Sequence, residues 1–109
     1  MEDKLLKKYC PMTETIFYTL LALLEPNHGY GIMKFVKELT DERIKMGTGT
    51  LYTMLGRLVE DQMIIVVNEV DGKKTYQITE DGKNLLLLEQ ERLEKQCENG
   101  EKILGGINA

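Results

Sequence analysis

The sequence predicts a mainly α-helical fold with a small β-hairpin. Two observations lead to this prediction. Apolar residues recur at the helical period in three segments before residue 62, and again from residue 80 onward. Between them, a β-branched run and a second strand-like segment stand on either side of an Asp-Gly turn. The 109 residues are enough for one compact domain and little more.

Two helices are predicted in the first forty residues. The first covers about residues 12–25, with Thr13 as its N-cap and Pro26 near its end. The second covers about residues 30–40 and opens with the segment His28-Gly29-Tyr30-Gly31-Ile32, in which the histidine shapes the turn. Residues 1–10 favour a frayed, solvated terminus, with an arm or a short helix as the alternatives.

The third helix, at about residues 49–62, lies at the centre of the chain. A gap before it, at residues 41–48, has room for a short strand. Leu51, Leu55 and Leu58 follow the spacing i, i+4, i+7, so they share one face and are predicted to be buried.

The opposite side of the third helix has a different character. Thr50, Thr53 and Arg57 share a face that is small, polar and singly charged. Thr48 is the candidate N-cap. Gln62 closes the helix, at a cost if that position requires a positive φ. An ordinary amphipathic surface helix is the alternative reading of this segment.

A hairpin and a long helix complete the chain. Strands are predicted at residues 63–69 and 74–78, joined by the tight turn at residues 70–73. Thr79 caps the final helix, which runs from about residue 80 to a glycine-marked end between 98 and 104. Tyr52 and Tyr76 are predicted to be mainly core residues.

The final helix is longer than the rest of the fold needs. It spans roughly 30 Å or more at about 1.5 Å per residue, and Leu85 to Leu88 make its start apolar nearly all round. A homodimer is the simplest way to bury such a helix. The sequence therefore predicts a winged helix-turn-helix in residues 1–79 and a C-terminal dimerisation helix and tail in residues 80–109.

Net charge neither supports nor excludes a nucleic-acid partner. The chain carries a formal charge of −4, which argues against a general affinity for nucleic acid. The excess acid is concentrated in residues 80–109, with seven acids and four bases, while residues 1–79 hold eleven acids and ten bases. A locally basic face is therefore possible in the front part of the chain.

The sequence offers little support for catalysis, a cofactor or a metal. It contains no serine, one histidine and two distant cysteines, and it has no phosphate-loop or dinucleotide fingerprint. A cysteine–histidine zinc site cannot be assembled within one chain. Two isolated cysteines are typical of reduced residues in a cytoplasmic protein. The longest apolar run is too short to span a bilayer, so no membrane partner is expected.

Residues suited to double-stranded DNA cluster around the third helix and the hairpin. Hydroxyls and a guanidinium can bind base edges and phosphates, lysines can reach phosphates, and amides at a helix start can bind one phosphate. Taken singly, each of these residues is better explained as a plain solvated side chain. The candidate DNA-binding residues are Thr48, Gly49, Thr50, Thr53, Arg57, Lys73, Lys74 and Lys37.

Four motifs make the chain resemble the PadR family of bacterial transcriptional regulators, in its short form with a single C-terminal helix. They are His28-Gly29-Tyr30-Gly31-Ile32, Gly49-Thr50-Leu51-Tyr52, Leu55 through Ile64, and Lys74-Thr75-Tyr76-Gln77-Ile78-Thr79-Glu80-Asp81-Gly82. Their order and spacing cover about residues 13–95.

The sequence departs from the family pattern at several positions. Thr53 stands where a proline is common, Val59 where glutamate is favoured, and Gln62 and Met63 where Gly-Leu is usual. Because Thr53 lies on or beside the predicted reading face, the operator sequence does not follow from the resemblance.

The sequence and the resemblance together imply a dimeric DNA-binding repressor that recognises a palindromic operator. The resemblance also implies a possible aromatic or drug-like effector at the dimer interface, with a closed interface as the alternative. A winged helix that binds protein partners without specific DNA binding is the alternative function. Residues that could line an effector cleft are Tyr9, Met12, Phe17, Leu93 and Cys97.

Overall fold

The computed structural model describes residues 2–107 and confirms a mainly helical fold with a hairpin wing and a long C-terminal helix. The described part of the chain contains five helices and three strands. The elements are α1 (Glu2–Tyr9), α2 (Glu14–Ala22), β1 (Asn27–His28), α3 (Gly29–Leu39), α4 (Thr48–Glu60), β2 (Ile64–Val70), β3 (Lys73–Ile78) and α5 (Glu80–Ile107).

The N-terminal segment is helical, so the expectation of a frayed terminus is wrong. Leu5 and Tyr9 of α1 are buried, at 7% and 4% exposure. Their side chains join the core, and α1 packs along α5. Burying these two side chains stabilises a helix that would be too short to persist alone.

The short strand lies earlier in the chain than expected. It is β1, at Asn27–His28, which pairs with β3 in antiparallel orientation. The predicted strand position, residues 41–48, is instead a turn in which Asp41 and Glu42 have φ values of 50° and 63°. Two consecutive left-handed residues cannot continue an extended strand, so that prediction is wrong.

Helices α2 and α3 begin as the sequence predicts. Thr13 is the N-cap of α2, and its side chain accepts a hydrogen bond from the Ile16 amide at 3.3 Å. His28 is the N-cap of α3, and its Nδ1 accepts a hydrogen bond from the Gly31 amide at 3.2 Å. Both side chains satisfy an amide that the helix leaves unpaired.

The inner face of α4 is buried as expected. Leu51, Leu55 and Leu58 have no exposed surface. The N-cap differs from the prediction, because Gly47 occupies it without a side-chain hydrogen bond and Thr48 is already helical. The helix ends at Glu60 with Asp61 as its C-cap, and Gln62 follows with a φ of 59°, so this position does require a positive φ.

The wing is a three-stranded antiparallel sheet in the order β1-β3-β2. Its hairpin turn has Val70 opposite Lys73, with Asp71 and Gly72 at φ values of 51° and 79°. Positive φ at both central positions matches the right-handed twist of the strands, and this confirms the predicted Asp-Gly turn. Tyr76 of β3 is buried, as predicted.

A tight junction joins the end of α4 to the start of α5. The Thr79 hydroxyl lies 2.7 Å from the Gln62 carbonyl oxygen and 3.0 Å from that of Met63, and it accepts a hydrogen bond from the Gly82 amide. Thr79 therefore caps α5, as predicted. A Cβ added at Gly82 would lie 2.2 Å from the Met63 carbonyl oxygen, so only glycine permits this approach.

The C-terminal helix is longer than predicted. α5 contains 28 residues and continues to Ile107 through Gly100, Gly105 and Gly106, so these glycines do not end it. It is about 42 Å long at 1.5 Å per residue. Only its first part is buried in this chain, mainly through Leu85 and Leu86. Within the described residues, none of the helices is apolar over a long enough span to cross a membrane.

Two glycines with opposite surroundings give a test of this packing. We expect Gly56→Ala to raise the unfolding free energy by about 0.5–1 kcal/mol, because Gly56 lies in the middle of α4 and a Cβ there meets nothing within 4 Å. We expect Gly82→Ala to lower it by about 1–3 kcal/mol, because the added methyl overlaps the Met63 carbonyl. Urea denaturation at equal protein concentration measures both. A Gly82→Ala variant as stable as the parent would contradict the described junction.

Candidate nucleic-acid interface

The outer surface of α4 is a ridge of small residues. Gly49, Thr53 and Gly56 lie opposite the buried leucine face by the helical period, and all three are exposed. A Cβ added at either glycine would meet nothing within 4 Å. A ridge without bulky side chains can approach the edges of base pairs closely in a major groove, which is wide enough to admit an α-helix.

One flank of the ridge faces the start of α2. Thr50 and Arg57, both exposed, lie on this side, where a groove of about 560 Å³ separates the two helices. We call it the α2 groove. Thr50, Thr53 and Arg57, which the sequence predicts to share a face, thus lie together on one surface. The residues that line the groove are Thr13, Thr15, Ile16, Gly49, Thr50, Thr53, Met54 and Arg57.

The other flank of the ridge faces the wing. Tyr52 points this way and is 50% exposed, so its prediction as a core residue is wrong. The wing cleft, as we call it, has a volume of about 380 Å³ and contains the predicted DNA-binding residues Lys73 and Lys74. It is lined by His28, Gly29, Tyr30, Tyr52, Gly72, Lys73, Lys74 and Tyr76.

Lys37 stands apart from the other candidates. It lines a third groove of about 860 Å³ between α3 and the turn that follows it. Lys34 and Lys45 share this groove with three carboxylates, and Lys45 pairs with Glu42 at 3.5 Å. The mixed charge makes this surface less favourable for a phosphate backbone than the wing cleft.

Thr48, another of the predicted DNA-binding residues, is exposed at the first turn of α4.

Tyr9, a candidate for the effector cleft, has a structural partner within the chain. It is buried, and its hydroxyl donates a hydrogen bond to the Asp61 carboxylate at the C-cap of α4. Lys8 binds the same carboxylate oxygen at 2.8 Å. These hydrogen bonds, first from Lys8 and then from Tyr9, hold the pKa of Asp61 below its usual value. Burial, followed by the contact with Asp61, raises the pKa of Tyr9.

Met12, a second effector candidate, is tied to α5 through a buried carboxylate. Its amide donates a hydrogen bond to Glu89 Oε2 at 2.8 Å. Glu89 is 2% exposed and also accepts two hydrogen bonds from Arg92, at 2.8 and 2.7 Å. The Arg92 guanidinium, and after it the Met12 amide, lower the pKa of Glu89. The carboxylate thereby fixes the chain entering α2 against α5.

The other effector candidates lie on α2 and α5. Phe17 is half-buried and packs edge-to-face on Tyr18, with ring centroids 5.7 Å apart. Leu93 and Cys97 are exposed on α5. The three grooves described above are lined by other residues. Among residues 2–107, no group of three or more histidine, cysteine or acidic side chains is arranged to hold a metal ion.

Comparison with known proteins identifies the family. The model of the PadR-like family of transcriptional regulators matches residues 18–87, which include α3, α4 and the whole wing. This chain belongs to the PadR-like family. The family is one of transcriptional regulators rather than enzymes.

Individual relatives of the PadR-like chain agree with this assignment. Transcriptional regulator YqjI of Escherichia coli (strain K12) is 31% identical over 70 residues, which are 64% of this chain and 34% of that protein. The chain thus spans about a third of the length of that relative. A PadR family transcriptional regulator from Eggerthella lenta DSM 2243 superposes with a TM-score of 0.69 and 26% identity, covering 82% of this chain and 80% of that one. A transcriptional regulator from Clostridium thermocellum gives a TM-score of 0.59 and 27% identity over 86% of each chain.

Two features of this PadR-like chain were not predicted from its sequence. Tyr30 and Tyr52 form part of the wing cleft, which residues of β1, α3, α4 and the hairpin create together, so no local pattern indicates it. Glu89 is different, because it lies at i+4 from Leu85 and i+3 from Leu86. That spacing places it on the buried face of α5 and could have predicted a buried, paired carboxylate.

The buried carboxylate predicts a pH-dependent stability. At pH 7 we expect Glu89→Gln to lose about 1–3 kcal/mol of unfolding free energy, because the charge-assisted hydrogen bonds to Glu89 weaken. The pKa of Glu89 is lowered by folding. Its stabilisation is therefore complete above the unfolded-state pKa of about 4.3 and is lost as the pH falls through the lower folded-state pKa.

Denaturation from pH 7 to pH 3 measures this difference. The gap between the parent and Glu89→Gln should narrow below about pH 4. The exposed Glu25 gives a matched control, and Glu25→Gln should follow the parent throughout. A gap that stays constant over this range would show that the charge of Glu89 is not responsible.

Proposed function

We propose that the chain is a homodimeric, sequence-specific DNA-binding repressor of transcription that acts in the cytoplasm. The exposed ridge of α4, with its small and hydroxyl side chains and one guanidinium, is the observation that supports this most directly. The ridge would enter a major groove and the wing would reach the adjacent minor groove. Thr50, Thr53 and Arg57 would contact bases or phosphates, while Lys73 and Lys74 would neutralise the backbone.

The free surface of α5 supports a homodimer. Large apolar side chains remain exposed along this helix, and by the helical period those after residue 90 continue the face that carries Leu85 and Leu86. An apolar stripe of this kind seldom remains in contact with water. A two-fold pair of α5 helices would bury them and place two copies of α4 in successive major grooves, about 34 Å apart, on a palindromic operator. The exposed side chains are Leu87, Leu88, Leu93, Ile103, Leu104 and Ile107.

An effector at the dimer interface would act on this spacing. A small aromatic or drug-like molecule could bind between the two chains near Tyr9, Met12, Phe17, Leu93 and Cys97. It would lower the affinity for the operator only if it binds more tightly to a dimer whose α4 helices are too far apart or too close for the operator than to the dimer that fits the operator.

One observation favours the alternative of a protein-interaction module. The edge strand β2 leaves four branched apolar side chains exposed, and an exposed apolar strand edge is a surface on which another chain can pair. The overall negative charge is also compatible with a protein partner. The side chains are Ile65, Val66, Val67 and Val70, at 38–58% exposure.

Selection of duplexes from a random-sequence pool tests the main proposal. The parent chain should enrich a palindromic sequence, and its affinity should fall steeply with salt. Arg57→Ala should weaken binding to the selected duplex by about 1–3 kcal/mol if the guanidinium contacts a base. Lys95→Ala is the matched control, because this exposed residue lies on α5. Enrichment no better than random would exclude specific DNA binding and favour the interaction module.

The oligomeric state can be tested by sedimentation. Ile103 is 70% exposed on α5, and we expect Ile103→Glu to shift the chain from dimer to monomer, because it places a charge on the apolar stripe. Val70→Glu is the control, since Val70 is similarly exposed at the tip of the wing. A parent chain that sediments as a monomer at micromolar concentration would contradict the dimer.

A further inference from the structure

We infer that the wing cleft holds one phosphodiester group of the DNA backbone, with the hydroxyls of Tyr52 and Tyr30 as hydrogen-bond donors and the ammonium groups of Lys73 and Lys74 as counter-charges. This inference rests on the proposed function and adds a defined contact to it. It assigns a role to two tyrosines that the helical pattern of α4 and α3 leaves unexplained.

The position of the cleft is the first argument. It lies between Tyr52 on α4 and the hairpin tip at Gly72 and Lys73. In duplex DNA, one sugar-phosphate backbone separates a major groove from the neighbouring minor groove. If α4 occupies the major groove and the wing the minor groove, that backbone passes through the space between them. The cleft is that space.

The position of the Tyr52 hydroxyl is the second argument. A Cβ added at Gly29 would lie 2.3 Å from the Tyr52 hydroxyl oxygen. The glycine therefore makes room for the tyrosine to lie against the start of α3. Half of the side chain is still exposed. The hydroxyl is therefore close to the backbone at the start of α3 and still accessible to a ligand in the wing cleft.

Tyr30 forms the other aromatic wall. It is 69% exposed, and its ring stacks on His28 with centroids 6.5 Å apart and an interplanar angle of 13°. Among residues 2–107, neither this hydroxyl nor that of Tyr52 has a hydrogen-bond partner, whereas the hydroxyls of Tyr9 and Tyr18 do. Two exposed hydroxyl donors beside one cleft suit an acceptor with several oxygens.

The charge of the cleft favours a phosphate over an uncharged aromatic molecule. Lys73 and Lys74 are both exposed, and no carboxylate lines the cleft. Glu69 and Asp71 lie on the same hairpin, Glu69 opposite Lys74 in the strand register, but both lie outside the cleft lining. Within the described part of the chain, neither lysine forms a salt bridge, so both ammonium groups are available to an anion.

Tyr52→Phe is the most direct test, because it removes one hydroxyl and keeps the ring against Gly29. Binding to the duplex selected by the parent chain should weaken about tenfold, the loss expected for a hydrogen bond to a charged group. The slope of log affinity against log salt should not change, because the hydroxyl is neutral. Lys73→Gln and Lys74→Gln should each reduce that slope by about 0.9. Tyr18→Phe is the matched control, since Tyr18 lines none of the three grooves.

Phosphate ethylation interference on the same duplex locates the contact. With the parent chain, ethylation of one particular phosphate in each half-site should block binding, and with Tyr52→Phe the effect at that phosphate should weaken while the others remain. Thermal denaturation of each variant should match the parent, which confirms folding. An unchanged affinity and an unchanged interference pattern for Tyr52→Phe would overturn the inference.

The two levels of proposal fail in different ways. If Arg57→Ala weakens binding but Tyr52→Phe does not, the wing cleft holds no phosphate and the proposed DNA-binding function stands. If the parent chain selects no duplex at all, the proposed function itself fails. A third result would assign the cleft to an effector instead. In that case ethylation of the duplex would not affect binding by the parent chain, and a small aromatic compound would displace the duplex from the parent chain but not from Tyr52→Phe.

Discussion

The burial of the inner face of α4 is the constraint on which the rest of the structure depends. Leu51, Leu55 and Leu58 are completely excluded from water, and each contributes on the order of 2 kcal/mol by this burial. Because this face is fixed against the core, the opposite face must point outward. The start of α2 on one side and the wing on the other then bound the exposed ridge, so the core determines where a nucleic acid could approach.

Much of this arrangement could be predicted from the sequence because it depends on local patterns. The spacing of the α4 leucines, the Asp-Gly turn and the cap at Thr79 are all signals carried by a few neighbouring residues. β1 could not be predicted, because two residues become a strand only when β3 lies beside them. The end of α5 was misjudged for a related reason. A glycine inside a helix costs about 1 kcal/mol relative to alanine, but α5 continues through Gly100, Gly105 and Gly106 despite this cost.

The candidate site likewise combines residues that local patterns predict with residues that only the packing of the elements brings together. Thr50, Thr53 and Arg57 share a helix face, and the helical period alone groups them. The sequence predicts Tyr52 to be a core residue, because aromatic side chains are usually buried. Its position against the start of α3 depends on Gly29, more than twenty residues earlier in the chain. The sequence therefore predicts the surface of one element well, and the cleft between elements only after their packing is known.

The last turn of α4 is attached to the rest of the chain at two points, and this limits how the protein could respond to a signal. Asp61 is bound by α1, which packs on α5, and Met63 is bound directly at the start of α5. A helix held on both sides cannot pivot relative to α5 without breaking buried contacts. The chain thus behaves as a rigid body without an internal hinge at this position. In the proposed homodimer, a change in the distance between the two α4 helices would therefore require one whole subunit to move relative to the other.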